Sequence, residues 1–337
     1  MQAENSIFLA LGMRRSALLL FVVILLAACN ESESDNVLSA LPFKPLTDSI
    51  RQAPSDAGLY SRRGRLLYAN DQKDLAEKDL RKAWELQPSD EANALDLTRL
   101  LMGKHPDSAF VFLQQALRNI PKSIALRIGL ARGYQLKQQP DKALAICDEI
   151  IREYPGQLDA LALKAELLDE KAPEDAISTL EKAYAFAPDD VELVHRLAFR
   201  YAEDGNPKVL SLADSLIRAD VRSTHAEPYF FKGVYYSNKG NSTEAIRQFD
   251  AAIARNYNFQ DAHINKGIEL YDLKEYAKAL KTFELAARIF PTEAEPYYWL
   301  GKTQEAAGQK DEAKLNYQRA FALDKTFTRV KEAADRI

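Results

Sequence analysis

From residue 57 to residue 325, small and apolar residues return on a fixed beat. Gly233, Gly267 and Gly301 stand 34 residues apart, and Gly64 to Gly301 is 237 residues, one short of seven such periods. Ala76, Ala109, Ala143, Ala176, Ala245, Ala279 and Ala313 keep the same interval. Ala83, Ala116, Ala183, Ala252, Ala286 and Ala320 follow seven residues behind their partners, and Pro88, Pro121, Pro155, Pro188 and Pro291 fall 33 or 34 residues apart or at a multiple of that. A period of this length marks stacked supersecondary units that bury a continuous core only by leaning on their neighbours. Each unit is predicted to be a helical hairpin, with small residues where its two helices approach most closely. Tyr60, Tyr229, Tyr297, Phe249, Phe283 and Tyr317 fill the gaps to the next unit. Proline stops the second helix before the next hairpin begins.

The residues at these positions resemble the tetratricopeptide repeat (TPR), a 34-residue helix–turn–helix pattern. The nearest copy is Tyr297-Tyr-Trp-Leu-Gly301 followed by Ala313, Tyr317 and Ala320; another is Tyr229 to Gly233 followed by Tyr236, Ala245, Phe249 and Ala252. The resemblance implies an all-α, right-handed superhelical solenoid of eight units, at about 57–90, 91–123, 124–157, 158–190, 191–225, 226–259, 260–293 and 294–325. Residues 326–337 read as the polar-faced capping helix that a solenoid end requires. Thr98 holds one small-residue position, and the fifth unit is irregular, with Val209 and Ala213 in place of the usual Ala and bulky residue. The stretch 206–225 is therefore a candidate bend between two four-repeat halves.

One segment breaks the pattern. Arg14-Arg15 precede an unbroken apolar run from Ala17 to Leu26, then Ala27-Ala28-Cys29. A charged segment, a ten-residue apolar run and small residues describe an export signal over residues 1–28, with Met13 an alternative start. The run is shorter than the roughly 20 residues that span a bilayer. Leu26-Ala27-Ala28-Cys29 resembles the bacterial lipobox, which implies a diacylglycerol on the thiol of Cys29, with an ordinary secretory signal as the other reading. Residues 29–56 then read as the acylated Cys and a flexible tether, opening with the acidic Asn30–Asp35. That opening is similar to the export signals of Bacteroidetes-type lipoproteins. The expected location is a bacterial envelope, the outer membrane in particular, with the periplasmic and surface faces both open.

Composition excludes several functions. The formal net charge of −4, from 45 Lys+Arg against 49 Asp+Glu, supplies no basic field for nucleic acid. Two Cys form neither a disulfide framework nor a Cys-based zinc site, and the four His at 105, 195, 225 and 263 are scattered. Phosphate-binding glycine loops and nucleophile elbows are missing, so no cofactor and no enzyme are expected. Asp169-Glu170 and Asp189-Asp190 sit beside helix ends, where capping and the helix dipole favour acids without catalysis. Cys147 occupies the bulky core position that Leu80, Leu113 and Leu180 hold in other units.

In a TPR array, the residue after the small Gly or Ala of each first helix points into a concave face. That column reads Arg65, Arg99, Arg132, Glu166, Phe199, Val234, Ile268 and Lys302; the column four residues earlier ends in His195, Phe230, Ile264 and Tyr298. The expected partner groove is therefore an N-terminal arginine ladder (Arg65, Arg99, Arg132) and a C-terminal apolar strip (Phe199, Phe230, Val234, Ile264, Ile268, Tyr298). Salt-bridged arginines and inter-helix packing are the competing readings of the two halves. Carboxylate-clamp TPRs carry Lys and Asn at these positions, and this chain does not match them. The resulting expectation is a lipid-anchored, non-enzymatic scaffold for envelope proteins. The rival is a surface lipoprotein that captures glycan or nutrient for an outer-membrane importer, against which the minimal loops argue.

Overall fold

The computed structural model describes residues 35–337 apart from 221 and 223, and among these it is helical throughout, without strand. The signal segment and Cys29 lie outside the described residues. Eight hairpins follow one another: α2 (Ala57–Ala69) with α3 (Lys73–Leu86), α4 (Glu91–Lys104) with α5 (Pro106–Asn119), and α6 (Ile124–Leu136) with α7 (Pro140–Glu153). Then come α8 (Leu158–Leu168) with α9 (Pro173–Phe186), α10 (Val191–Glu203) with α11 (Lys208–Ala219), and α12 (Glu227–Asn238) with α13 (Ser242–Arg255). The last two pair α14 (Gln260–Asp272) with α15 (Tyr276–Ile289) and α16 (Ala294–Ala306) with α17 (Lys310–Leu323). Helix α1 (Lys44–Gln52) precedes them and α18 (Thr328–Arg336) follows.

The helix ends are written locally. Asp56, Asp90, Ser123 and Asp190 each accept a hydrogen bond from the backbone N–H three residues on, capping a first helix. Six of the eight turns within hairpins contain one left-handed residue: Asp71, Gln138, Gly205, Gly240, Lys274 and Gly308. The other two, before α5 and α9, do without one and begin the second helix with Pro106 and Pro173, whose fixed φ suits that position.

The chain divides into two compact units between Glu153 and Tyr154. The hairpin of α10 and α11 lies in the same unit as its successors, so the suggested division near residue 206 is not where the chain separates. The first unit is held by Leu67, Leu80, Leu97, Leu101, Leu113 and Leu126, with the rings of Trp84 and Phe112 edge to face at 5.3 Å. From residue 43 onward the expected tether is not loose. Pro45 sits in the first turn of α1, and Phe43, Thr47 and Ile50 are buried. Thr47 also meets the first hairpin: its Oγ1 accepts from Arg63 Nη1 at 3.0 Å, and Arg63 clamps Asp79 through two bonds of 2.6 and 2.8 Å. An amphipathic helix next to an open hairpin end removes apolar surface from water, which a tether would not.

In the second unit, Phe249, Phe283 and Tyr317 are fully buried beneath Gly233, Gly267 and Gly301. Ion pairs join consecutive hairpins: Lys232 meets Asp214 at 2.9 Å and Lys266 meets Asp250 at 2.6 Å. Val330 and Ala334 of α18 close the last hairpin.

Candidate functional site

The anticipated groove residues separate into three groups. Arg65, Arg99 and Arg132 are exposed. Arg65 and Arg99 both reach the carboxylate of Asp96, at 3.4 and 3.7 Å, so the ladder is partly salt-bridged. Phe199, Val234, Ile268 and Tyr298 are half-buried. Phe230 and Ile264 do not line a groove: they are only 7% and 2% exposed, and Phe230 is wedged among Phe231, Phe249 and Phe259. Four residues advance a helix by more than a full turn, which rotates the earlier column by roughly 40° from the later one. That rotation carries Phe230 and Ile264 into the seam between hairpins. Cys147 is buried in the core, as its register indicates.

Tyr298 leads to a cleft. A cavity of about 800 Å³ opens at the C-terminal end of the second unit, lined by Tyr271 of α14, Tyr298, Lys302 and Glu305 of α16, Tyr317 of α17, and Arg329, Glu332 and Arg336 of α18. The sequence reading included Tyr298 and noted Lys302 in its column, but it missed the rest. Arg329 and Arg336 are seven residues apart and so share one face of α18, a signal that was present but lay outside the repeat.

The cleft wall is aromatic and braced. The Tyr298 ring lies 5.4 Å from Trp299, 6.1 Å from Tyr317 and 5.1 Å from Phe327, while Trp299 stacks flat on Phe283 at 5.8 Å. Tyr317 donates its hydroxyl to Glu305 Oε2 at 2.8 Å, and Arg336 donates to Glu305 Oε1 at 2.6 Å. Burial, followed by the adjacent Glu305 carboxylate, drives the Tyr317 phenol well above the usual tyrosine range, so it stays a donor. Burial likewise raises Tyr271. The ammonium of Lys302 lies 4.3 Å from the Trp299 ring centroid and 5.2 Å from that of Tyr271. Among the described residues, no cluster of three or more His, Cys, Asp or Glu is placed to hold a metal ion.

Stacked 34-residue hairpins, each with a small residue seated under the bulky residue of its partner helix, and an open cleft on the first-helix side define a helical-repeat protein. The chain belongs to the tetratricopeptide repeat family. Models described as tetratricopeptide repeat match residues 57–90, 100–167, 232–294 and 294–327. A tetratricopeptide repeat protein from Parabacteroides merdae superposes with a TM-score of 0.61 at 18% identity, over 74% of this chain and 98% of that one. The APC/C hetero-tetramer Cut9–Hcn1 gives 0.51 at 13% identity, over 88% of this chain and 59% of that one. In sequence, an uncharacterized protein of Sinorhizobium fredii is 27% identical over 134 residues, 40% of this chain and 74% of the relative. These likenesses bear on the fold.

Proposed function

We propose that this protein is a non-enzymatic adaptor that holds a partner protein in the cleft at its C-terminal repeats. The observation that carries the reading is the cleft itself: an open, aromatic-walled cavity of about 800 Å³ whose side chains come from three repeat helices and the cap. Half-buried tyrosines beside charged groups are what protein-binding surfaces use as anchors, because they offer large contact area at low conformational-entropy cost. The finer part of the proposal is attachment: a lipid on Cys29 would hold the scaffold at a bacterial envelope membrane. A buried acyl chain contributes about 0.8 kcal/mol per methylene, and two or more chains make attachment stable.

The test places a photoreactive benzoylphenylalanine at position 298 in cells and, as a control, at exposed Leu315 on the adjacent second helix. A discrete protein adduct at 298 that is missing at 315 supports the adaptor. Adducts shared by both positions, or none, reject it. Labelling with an alkynyl fatty acid that disappears in Cys29→Ala supports the anchor, and label that persists in the variant rejects it.

A further inference from the structure

The occupant's chemistry follows from which charges in the cleft are already matched. Three cations, Lys302, Arg329 and Arg336, face two carboxylates, Glu305 and Glu332. Glu305 is fully engaged, with one oxygen accepting from Tyr317 and the other from Arg336. Lys302 and Arg329 are different. Their charged ends rest against aromatic rings, Trp299 and Tyr271 for Lys302 and Phe327 at 5.5 Å for Arg329, with no carboxylate in ion-pair contact.

The repeat register makes this unusual within the molecule. In the sixth and seventh hairpins the lysine stands one residue before the small glycine, as Lys232 before Gly233 and Lys266 before Gly267. There it reaches back to the preceding hairpin and is neutralised by Asp214 or Asp250. In the eighth hairpin that position is Leu300, and the lysine follows the glycine instead, as Lys302. A shift of two residues turns a side chain by roughly 200° around the helix. It takes Lys302 away from the preceding hairpin and into the cleft. The ring faces position the ammonium but leave its hydrogen-bond donors unused, and a carboxylate is the group that completes them with short, charge-assisted bonds.

We propose that the cleft takes an acidic peptide segment of the partner, with Asp or Glu side chains at Lys302 and Arg329 and neighbouring apolar residues against Tyr298 and Tyr271. This rests on the adaptor reading and narrows it to one class of ligand. The unmatched cations set the selectivity, and the tyrosines supply the contact area.

The test is selection of random dodecapeptides displayed on phage against the full chain immobilised in detergent. The same selection is run against Tyr298→Arg and Lys302→Gln/Arg329→Gln, with circular dichroism melts to show that the variants fold. The expected result is a selected pool at least threefold enriched in Asp and Glu. Synthetic members should bind at least tenfold more weakly to Lys302→Gln/Arg329→Gln and should lose affinity when their acids become amides. Peptides that need Tyr298 but show no acidic enrichment overturn this inference and leave the adaptor standing. Acidic peptides indifferent to Lys302→Gln/Arg329→Gln, yet lost in Arg65→Gln/Arg99→Gln, overturn it in favour of the arginine ladder. Selection of no Tyr298-dependent peptide overturns both readings.

Discussion

The ring of Phe283 occupies the space where a side chain on Gly267 would begin: a β-carbon built there would lie 2.3 Å from Cε1 and 2.5 Å from Cζ. The same relationship joins Gly233 to Phe249, at 2.4 Å. The glycine is therefore the floor on which the bulky residue of the second helix rests. Gly267→Ala is expected to destabilise the second unit by about 1–3 kcal/mol through overpacking. Gly267→Ala/Phe283→Leu should recover part of the loss, because the smaller side chain clears the new methyl group. Urea unfolding of the three proteins measures both effects, and a double variant no better than Gly267→Ala would show that the ring is not the obstacle.

The pair Arg63–Asp79 predicts a different asymmetry. Both side chains are buried, and Thr47 of α1 completes the guanidinium's bonding. Asp79→Ala leaves a buried cation without its partner and should cost about 3–5 kcal/mol. Replacing the two together, as Arg63→Met/Asp79→Leu, removes the charges with the cavity filled and should cost much less than the single change. Thr47→Val should cost about 1–3 kcal/mol, since the guanidinium loses an acceptor. Chemical denaturation monitored at Trp84, which lies in the same unit, reads all three. Equal losses for the single and paired substitutions would contradict the argument.

His263 sets a pH dependence. It is buried, and its Nε2–H donates to the Tyr257 carbonyl at 2.9 Å. Burial depresses its pKa below the ordinary 6.5 and Lys266 adds to this, while the Tyr257 carbonyl and Asp250 act in the opposite sense. The unfolded chain therefore takes up this proton more readily than the folded one. The stabilisation is present above 6.5 and is lost progressively as pH falls through that value toward the lower folded pKa. Melting temperatures measured between pH 7.5 and 5 should fall less steeply for His263→Gln than for the parent. Parallel slopes would remove His263 as a contributor.

Asp96 bridges Arg65 and Arg99 at an exposed surface, where ion pairs contribute about 0–1 kcal/mol. Asp96→Asn should leave the melting temperature of the first unit within a few degrees of the parent. Its effect should fall on salt dependence, because two guanidiniums then face each other without a screen. Thermal melts at low and high ionic strength separate the cases, and a large loss at high salt would mean that Asp96 supports the fold.

The repeat was legible because one set of packing constraints recurs eight times, so Gly64, Gly233, Gly267 and Gly301 reinforce each other as signals. Two kinds of information were not. A period fixes position along the axis more tightly than rotation about it, which is why Phe230 and Ile264, in the same column as Tyr298, turned inward while Tyr298 reached the cleft. Segments outside the repeat carry no echo of it. Helix α1 was taken as tether for that reason, and Arg329 and Arg336 escaped notice although they complete the site.

The seat beneath each bulky ring also bears on how such a chain grows. Gly233 with Phe249, Gly267 with Phe283 and Gly301 with Tyr317 are three copies of one joint, each closed within a single 34-residue hairpin. The lysine-to-aspartate stitches Lys232–Asp214 and Lys266–Asp250 reach back only to the hairpin before. Duplicating residues 260–293 in the gene would therefore present every new surface with a mate it already fits. The protein is lengthened by a whole hairpin at small risk to its fold, whereas an insertion of half that length would set a helix against a partner cut for another.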